Sequence, residues 1–272
     1  CPSDIRPGPP HYFQRITFPA LVSPKIDGIR GVVKAGKVQS RSFKPHRNLQ
    51  VQEDFSVCEH VDMELTFGAP VGPDVMNRAQ SAVRSKDTRG EFCAWAFDYT
   101  EDLRAPYFER LEMLREAILD FPQYNFLEHK EVTSLEELLA YEDECLFVGY
   151  EGVIVRNPMA PYKCGRATMN DEIIWRVKRF TDFEATCIGF TEAMHNANEE
   201  KYNELGYMDR STHKDNKLPM GMAGAYLVKD ESGYEFTASA GKLSHDERKA
   251  HFEHPELVLG QTMTVRAFGK TP

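Results

Sequence analysis

A lysine serves as a nucleophile only as the neutral amine, so it needs nearby cations or an apolar setting that lowers its proton affinity. The run Lys25-Ile26-Asp27-Gly28-Ile29-Arg30 gathers the parts of such a setting. Arg30 and the basic stretch behind it supply cations, Gly28 permits close backbone approach, and Asp27 sets a carboxylate beside the amine. Alone, the run also reads as an exposed β-turn with two incidental cations, and Lys-x-Asp-Gly-x-Arg arises by chance in roughly three chains per thousand of this length. Its company is more informative. Ser40-Arg41, Asp62-Met63-Glu64-Leu65, Phe97-Asp98-Tyr99, Glu151-Gly152-Val153-Ile154-Val155-Arg156 and Trp175-Arg176-Val177-Lys178 follow in that order. Singly, Phe97 beside Trp95, Ala96 and Tyr99 reads as plain core, and Glu64 and Glu151 as surface acids at strand ends. The ordered series favours function.

The elements that must carry these residues are mixed. LVSPKIDG and GVVKAGKVQSRS have the clusters and alternation of strands, with Ala-Gly in the second as a hairpin turn. EFCAWAFDYT reads as a short buried strand. FERLEMLREAILDF spaces Leu111, Leu114 and Ile118 as an amphipathic helix. Ser134 opens a second helix with a capping box to Glu137 and a stripe of Leu135, Leu138 and Leu139. YEGVIVR and IIWRVKRF return to strand. Beyond Phe180 come EATCIGF, AGAYLVKD, EFTASAG and QTMTVRAF as short strands, with SHDERKAHFEH as one helix among them. That pattern predicts a small β-barrel and a domain boundary near Thr181. Between the first two of these strands runs a long polar connection without core periodicity, holding Arg210, Ser211, Thr212, His213 and Lys214 in a row.

Composition sets the bounds. The 272 residues are 41% hydrophobic and 28% charged, an ordinary globular balance with room for two domains. Peptide hormones, disulfide miniproteins and disordered tails are excluded. No apolar run approaches the ~18 residues of a membrane span, and the first residues lack a signal-peptide pattern. The sequence does not begin with Met, so its start is expected to be trimmed. Six scattered cysteines form neither a CxxC pair nor a zinc set, which predicts reduced, mostly buried thiols in an intracellular protein. The net charge of −9 argues against a polyanionic partner when taken as a sum. Its distribution argues otherwise: Gly28 to Gln52 contains no acid, yet holds Arg30, Lys34, Lys37, Arg41, Lys44 and Arg47. This predicts a local phosphate-binding surface. The acidic segment from Glu128 to Glu144 reads as a solvated face.

The ordered series resembles the covalent nucleotidyltransferases: ATP-dependent DNA ligases, RNA ligases and capping enzymes. SPKIDGIR, SRSFKPHRN, FDYT, YEGVIVRNP, YKCGRAT and DRSTHK are similar to the small viral DNA ligases, over about Phe18 to Phe268. The resemblance implies that Lys25 takes AMP from ATP, that Arg30 and Arg41 order phosphates, and that Glu64 accepts a hydrogen bond from the ribose. It also implies that Phe97 stacks on adenine, that Glu151 is the metal-associated acid, and that Arg176 and Lys178 face the AMP phosphate. Asp27 would stand near the 3′-hydroxyl of the nick. Arg41, Lys44, Arg47, Arg166, Arg210 and Lys214 would meet DNA phosphates. Arg176 departs from the Lys usual there, and acts only as a clamp because guanidinium keeps its proton. The chain stops at AFGKTP, where the viral ligases continue into a motif that orients pyrophosphate, and it is expected to be clipped there.

The implied fold is α+β: an adenylation domain of antiparallel sheets with flanking helices over residues 1–181, then an OB-type barrel over 182–272 with a DNA-clamping insertion at about 195–221. The implied enzyme is a monomeric ATP-dependent DNA ligase that uses Mg²⁺ and seals 3′-OH/5′-phosphate nicks in duplex DNA. ATP is preferred to NAD⁺ because Lys25 is nearly N-terminal and no zinc module is present. An RNA ligase, a capping-type enzyme and a non-catalytic nucleic-acid-binding protein of the same fold are the alternatives.

Overall fold

The computed structural model describes residues 3–5, 10–72, 74–165, 167–179, 181–202, 208–211, 213–214 and 216–267. Described residues up to Arg179 form one compact unit and those from Thr181 to Ala267 a second. No helix among them is long and apolar enough to cross a membrane.

Strands are numbered along the chain. In the first unit, β1 (Ser3–Ile5), β2 (Ala20–Pro24), β8 (Lys130–Val132), β9 (Val153–Arg156) and β10 (Ile174–Val177) form one sheet in the order β1-β10-β9-β2-β8. The second sheet is β4-β3-β5-β6-β7, from β3 (Ile29–Lys34), β4 (Lys37–Gln39), β5 (Val61–Phe67), β6 (Phe92–Tyr99) and β7 (Tyr124–Phe126). Pairing is antiparallel except for β1 with β10 and β6 with β7, which run parallel. Ala35 and Gly36, both at positive φ, make the expected turn between β3 and β4.

Each sheet has its own core. Helices α1 (Leu49–Phe55), α2 (Val75–Arg84) and α3 (Tyr107–Ala117) cover the second sheet with Val51, Phe55, Ala82, Leu111 and Leu114. Helix α4 (Leu135–Val148) covers the first through Leu138 and Cys145, against Trp175 and Val155. The predicted α4 stripe is only partly right, because Leu135 at the first turn is exposed. The capping box is half formed. Ser134 accepts from the Glu137 N–H, but the Glu137 carboxylate reaches back one residue further, to the N–H of Thr133 at 2.7 Å. The cysteines behave as expected: Cys58, Cys145 and Cys187 are buried, Cys93 is half-buried, and only Cys164 is exposed among the described ones, all free.

The second unit holds β11 (Thr181–Asn196), β12 (Glu200–Tyr202), β13 (Met208–Arg210), β14 (Lys217–Asp230), β15 (Glu235–Ser239), α5 (His245–Glu253) and β16 (Thr262–Ala267). Ser244 caps α5 in a complete capping box with Glu247. The sheet order is β15-β14-β11-β16, and β12 pairs only with β13. Against expectation no barrel closes among the described residues, since the edge strands β15 and β16 do not pair. A second correction concerns the long polar connection. Much of it is strand: β11 and β14 stay paired out to Asn196 opposite Lys217, and β12 and β13 continue beyond. Its apolar residues, Met194, Leu218 and Met220, are exposed and do not alternate with polar ones, so the sequence carried no strand signal there.

Candidate active site

The site lies where the two sheets of the first unit approach. Lys25 follows β2, and its N–H donates to the Gly152 carbonyl at 2.9 Å, which locks the start of the lysine loop to the turn before β9. That turn tolerates no side chain at Gly152, where a Cβ would stand 2.2 Å from the Val177 carbonyl oxygen. Gly28 is equally enclosed: a Cβ there would meet the Leu65 oxygen at 2.4 Å and Glu64 Cγ at 2.9 Å. Two side-chain-free positions thus bring β2, β5, β9 and β10 close around one amine.

Lys25 Nζ donates to Glu151 Oε2, Lys178 Nζ donates to Glu151 Oε1, and Asp27 Oδ1 stands 3.7 Å from Lys25 Nζ. The lysine side chain is only 12% exposed. Burial alone would raise the Glu151 carboxyl, but Lys25 and Lys178 outweigh it and hold the group below its ordinary range. Glu64, opposite Arg30 across β3 and β5, behaves the other way. Burial pushes its carboxyl up to about 7 in spite of Lys25 and Arg30.

Arg30 is not the unopposed cation that the sequence suggests. Its Nε donates to Asp62 Oδ1 at 2.8 Å, its Nη2 to Asp62 Oδ2 and to the Tyr162 hydroxyl, and that hydroxyl donates to Asp62 Oδ2 at 2.9 Å. Burial works against its charge, yet Asp62 holds the guanidinium above its ordinary value. Asp62 is fully buried and faces a second fully buried acid, Asp98, across β5 and β6. Opposed like charges destabilise a sheet, and arginines answer both. Arg110 donates to Asp98 through Nε at 2.8 Å and Nη2 at 3.3 Å, and Arg156 Nη1 donates to it at 3.1 Å.

Phe97 is half-buried on β6. Arg30 and Arg156 lie 5.7 and 5.2 Å from its ring centroid. Lys178 and Arg176 come from β10 and its end, where Arg176 is half-buried opposite Ile154. The structure therefore gathers Lys25, Asp27, Arg30, Glu64, Phe97, Glu151 and Lys178 around the junction of the sheets. Arg41, Lys44 and Arg47 are exposed on the segment after β4. Arg166 lies outside the described residues. In the second unit Arg210 is tied internally, with Nε to Glu200 at 3.1 Å and Nη1 to the Asn196 carbonyl at 2.7 Å, while Lys214 is exposed.

Sequence reasoning assigned nothing to Asp62, Asp98, Arg110, Arg156, Tyr107 or Tyr162. The periodicity of α3 holds a signal for two of them, since Tyr107 and Arg110 share its buried face with Leu111 and Leu114.

A half-buried lysine among carboxylates and cations, on two facing mixed sheets, defines an enzyme of the nucleotidyltransferase type. The family model of the ATP-dependent DNA ligase domain matches residues 10–171, and the chain belongs to that family. The match takes in Lys25, Arg30, Glu64, Phe97 and Glu151, and ends before Arg176 and Lys178. Chlorella virus DNA ligase-adenylate is similar in structure, with 27% identity over 99% of this chain and 95% of that one, at a TM-score of 0.56. A second crystal structure of the same viral ligase-adenylate gives 28% identity, 99% and 92% coverage, and 0.57. A structure from a study of Lig E DNA ligases shares the fold at a TM-score of 0.72, with 22% identity over 100% of this chain and 94% of that one. No curated protein sequence matches the chain. The protein is an ATP-dependent DNA ligase, and enzymes of this family carry AMP as a covalent adduct.

Proposed function

We propose that Lys25 is the residue that carries AMP. Nick sealing then runs in three phosphoryl transfers. Lys25 Nζ attacks the α-phosphate of ATP with loss of pyrophosphate, AMP passes to the 5′-phosphate of the nick, and the 3′-hydroxyl displaces AMP. The observation that supports this best is the pairing of Lys25 with Glu151 in a pocket that also holds Asp27, Glu64 and Arg30. A carboxylate held below its ordinary range is a weak base, so Glu151 orients Nζ, and the ammonium proton passes to solvent before the neutral amine attacks. Glu64 meets the ribose, and its raised proton affinity lets it accept or donate there. Phe97 offers a ring to adenine, Arg176 and Lys178 face the AMP phosphate, and Asp27 lies beside the attacking 3′-hydroxyl. With so little covalent chemistry beyond the nucleophile, positioning and charge neutralisation carry the rate.

The oxygen donor of Glu151 suits Mg²⁺, which is commonly held by one or two carboxylates together with substrate phosphates. Among the described residues no cluster of three or more candidate ligands exists, and Glu151, whose two oxygens accept from Lys25 and Lys178, would be the carboxylate to hold the cation beside the phosphates of ATP. When bound, the cation neutralises phosphate charge.

The partner is nicked duplex DNA, gripped by Arg41, Lys44, Arg47 and Arg166 from an adenylation domain over residues 1–181. Arg210 and Lys214 add contacts from an OB-type domain over 182–272, whose clamp is the hairpin at about 195–221. The enzyme acts as a monomer inside the cell, where DNA is. The test is AMP labelling of the whole protein: Lys25→Ala should lose labelling and ordinary nick sealing, and keep sealing of a pre-adenylated nick. Undiminished labelling in that variant refutes the assignment. Lys25→Arg should fail as well, because guanidinium stays protonated.

A further inference from the structure

Phe97 sits at an irregularity. Along β5 and β6, Met63 pairs with Ala96 but Asp62 pairs with Asp98, so Phe97 is the extra residue of a β-bulge. A bulge re-aims one side chain. It also releases that side chain from the ladder, so other groups must fix its attitude. The Tyr107 hydroxyl donates to the Phe97 carbonyl at 2.7 Å and holds the main chain. The ring is met by Arg156, whose guanidinium carbon lies 5.2 Å from its centroid and 4.5 Å from that of Tyr107.

Arg156 is itself fixed. Asp98 Oδ2 accepts from its Nη1 at 3.1 Å, and Arg110 holds the same carboxylate from α3. Its Nε is buried without a hydrogen-bond acceptor among the described residues. The chain of support runs from α3 through Arg110 and Asp98 to Arg156, and ends on the bulged ring.

We propose that Arg156 is a positioning residue for base recognition: it sets the Phe97 ring in the attitude that stacks on adenine, and polarises that ring toward an electron-rich purine. Arg156 shares the Asp98 carboxylate with Arg110, which anchors its Nη1 edge and leaves its plane to the ring. The inference rests on the proposed role of Phe97 as the stacking ring.

The experiment measures equilibrium binding of ATP, adenosine and inorganic tripolyphosphate to the full chain, together with the ATP dependence of AMP labelling. Arg156→Met should weaken ATP and adenosine binding about tenfold, as loss of a partly buried cation–π contact predicts. It should leave tripolyphosphate binding and the labelling rate at saturating ATP unchanged. Arg156→Lys, which keeps a cation over the ring, should recover most of the lost affinity, and it serves as the readout if the Met variant does not fold. Unchanged ATP and adenosine affinity in Arg156→Met overturns the proposal, as does equal weakening of tripolyphosphate, which would make Arg156 a phosphate ligand. Phe97→Ala separates the two readings. If it leaves adenosine binding intact, the stacking role of Phe97 fails; if it weakens binding while Arg156→Met does not, only the role of Arg156 fails.

Discussion

Replacing Arg110 by Met tests whether the paired acids beneath the site are held by arginine. Arg110 is 2% exposed. Its guanidinium donates twice to Asp98 and once each to the carbonyls of Ala105 and Ala160. Methionine keeps the apolar stem and removes every donor. Removing one partner of a buried ion pair costs about 3–5 kcal/mol. Arg156 and the Tyr99 N–H still reach Asp98, so the lower end applies, about 3 kcal/mol. With a urea m-value of about 2–3 kcal/mol/M, the midpoint should fall by about 1–1.5 M. The assay is urea unfolding followed by tryptophan fluorescence. Both tryptophans, Trp95 and Trp175, lie in the first unit, so the signal reports on that unit. Adding Asp98→Asn to the Met variant should recover nothing and lower the midpoint further, because Arg156 then loses the carboxylate that it donates to. A midpoint within about 0.3 M of the parent in Arg110→Met, or recovery in the double variant, refutes the reasoning.

Other expectations follow from the same geometry. The Glu64 carboxyl rises from 4.5 to about 7, so the folded state binds the extra proton. Its stabilising contribution is complete below pH 4.5 and lost as pH rises through about 7. Relative to the parent, Glu64→Gln should therefore gain up to about 3 kcal/mol between pH 4.5 and 7.5, read by denaturant unfolding at both pH values; a constant difference would show that Glu64 titrates normally. Glu151→Gln should slow AMP labelling about a hundredfold with little change in nick binding at low salt, and an unchanged rate at saturating ATP and Mg²⁺ would make Glu151 structural. Joining Asn196 directly to Lys217, which already pair, should weaken nick binding and lower the log–log salt slope by ~0.9 per lost phosphate contact, while Lys25 labelling persists. An unchanged slope means that the hairpin is idle.

What the sequence revealed of the site was what lies in short local runs. Lys25 to Arg30, the Glu64 run and the Glu151 run each lie within one loop or strand, so their ordered series could be matched to the family it resembles. The support beneath them was hidden because its partners are distant. Asp98 and Arg110 fall in different elements, and an arginine inside an amphipathic helix reads as a surface charge until its face is known. Tyr162 joins Arg30 and Asp62 from a loop a hundred residues past Asp62. The bulge at Phe97 leaves no mark in composition, since the alternation of buried and half-buried side chains along β6 runs through it unbroken. In the second unit, apolar alternation marked the strands only where they cover the core; the pairing of Met194 to Asn196 with Lys217 to Pro219, and that of β12 with β13, lie outside it and escaped notice.

The two glycines that let the backbones close on Lys25 also set where the sequence can drift. At Gly28 and Gly152 the obstacle is a main-chain oxygen, which no rotamer change moves aside. Even alanine should be rejected there, and no compensating change in a neighbouring side chain should rescue it. Gly36 differs: it has a positive φ, as Gly152 does, but nothing lies within 4 Å of its missing Cβ, so asparagine or aspartate should pass. In a saturation library selected for ligation, the first two positions should return a single residue each, and the third a short menu. Lineages of this enzyme can then exchange most of their surface, and the two points of backbone contact remain fixed while they do so.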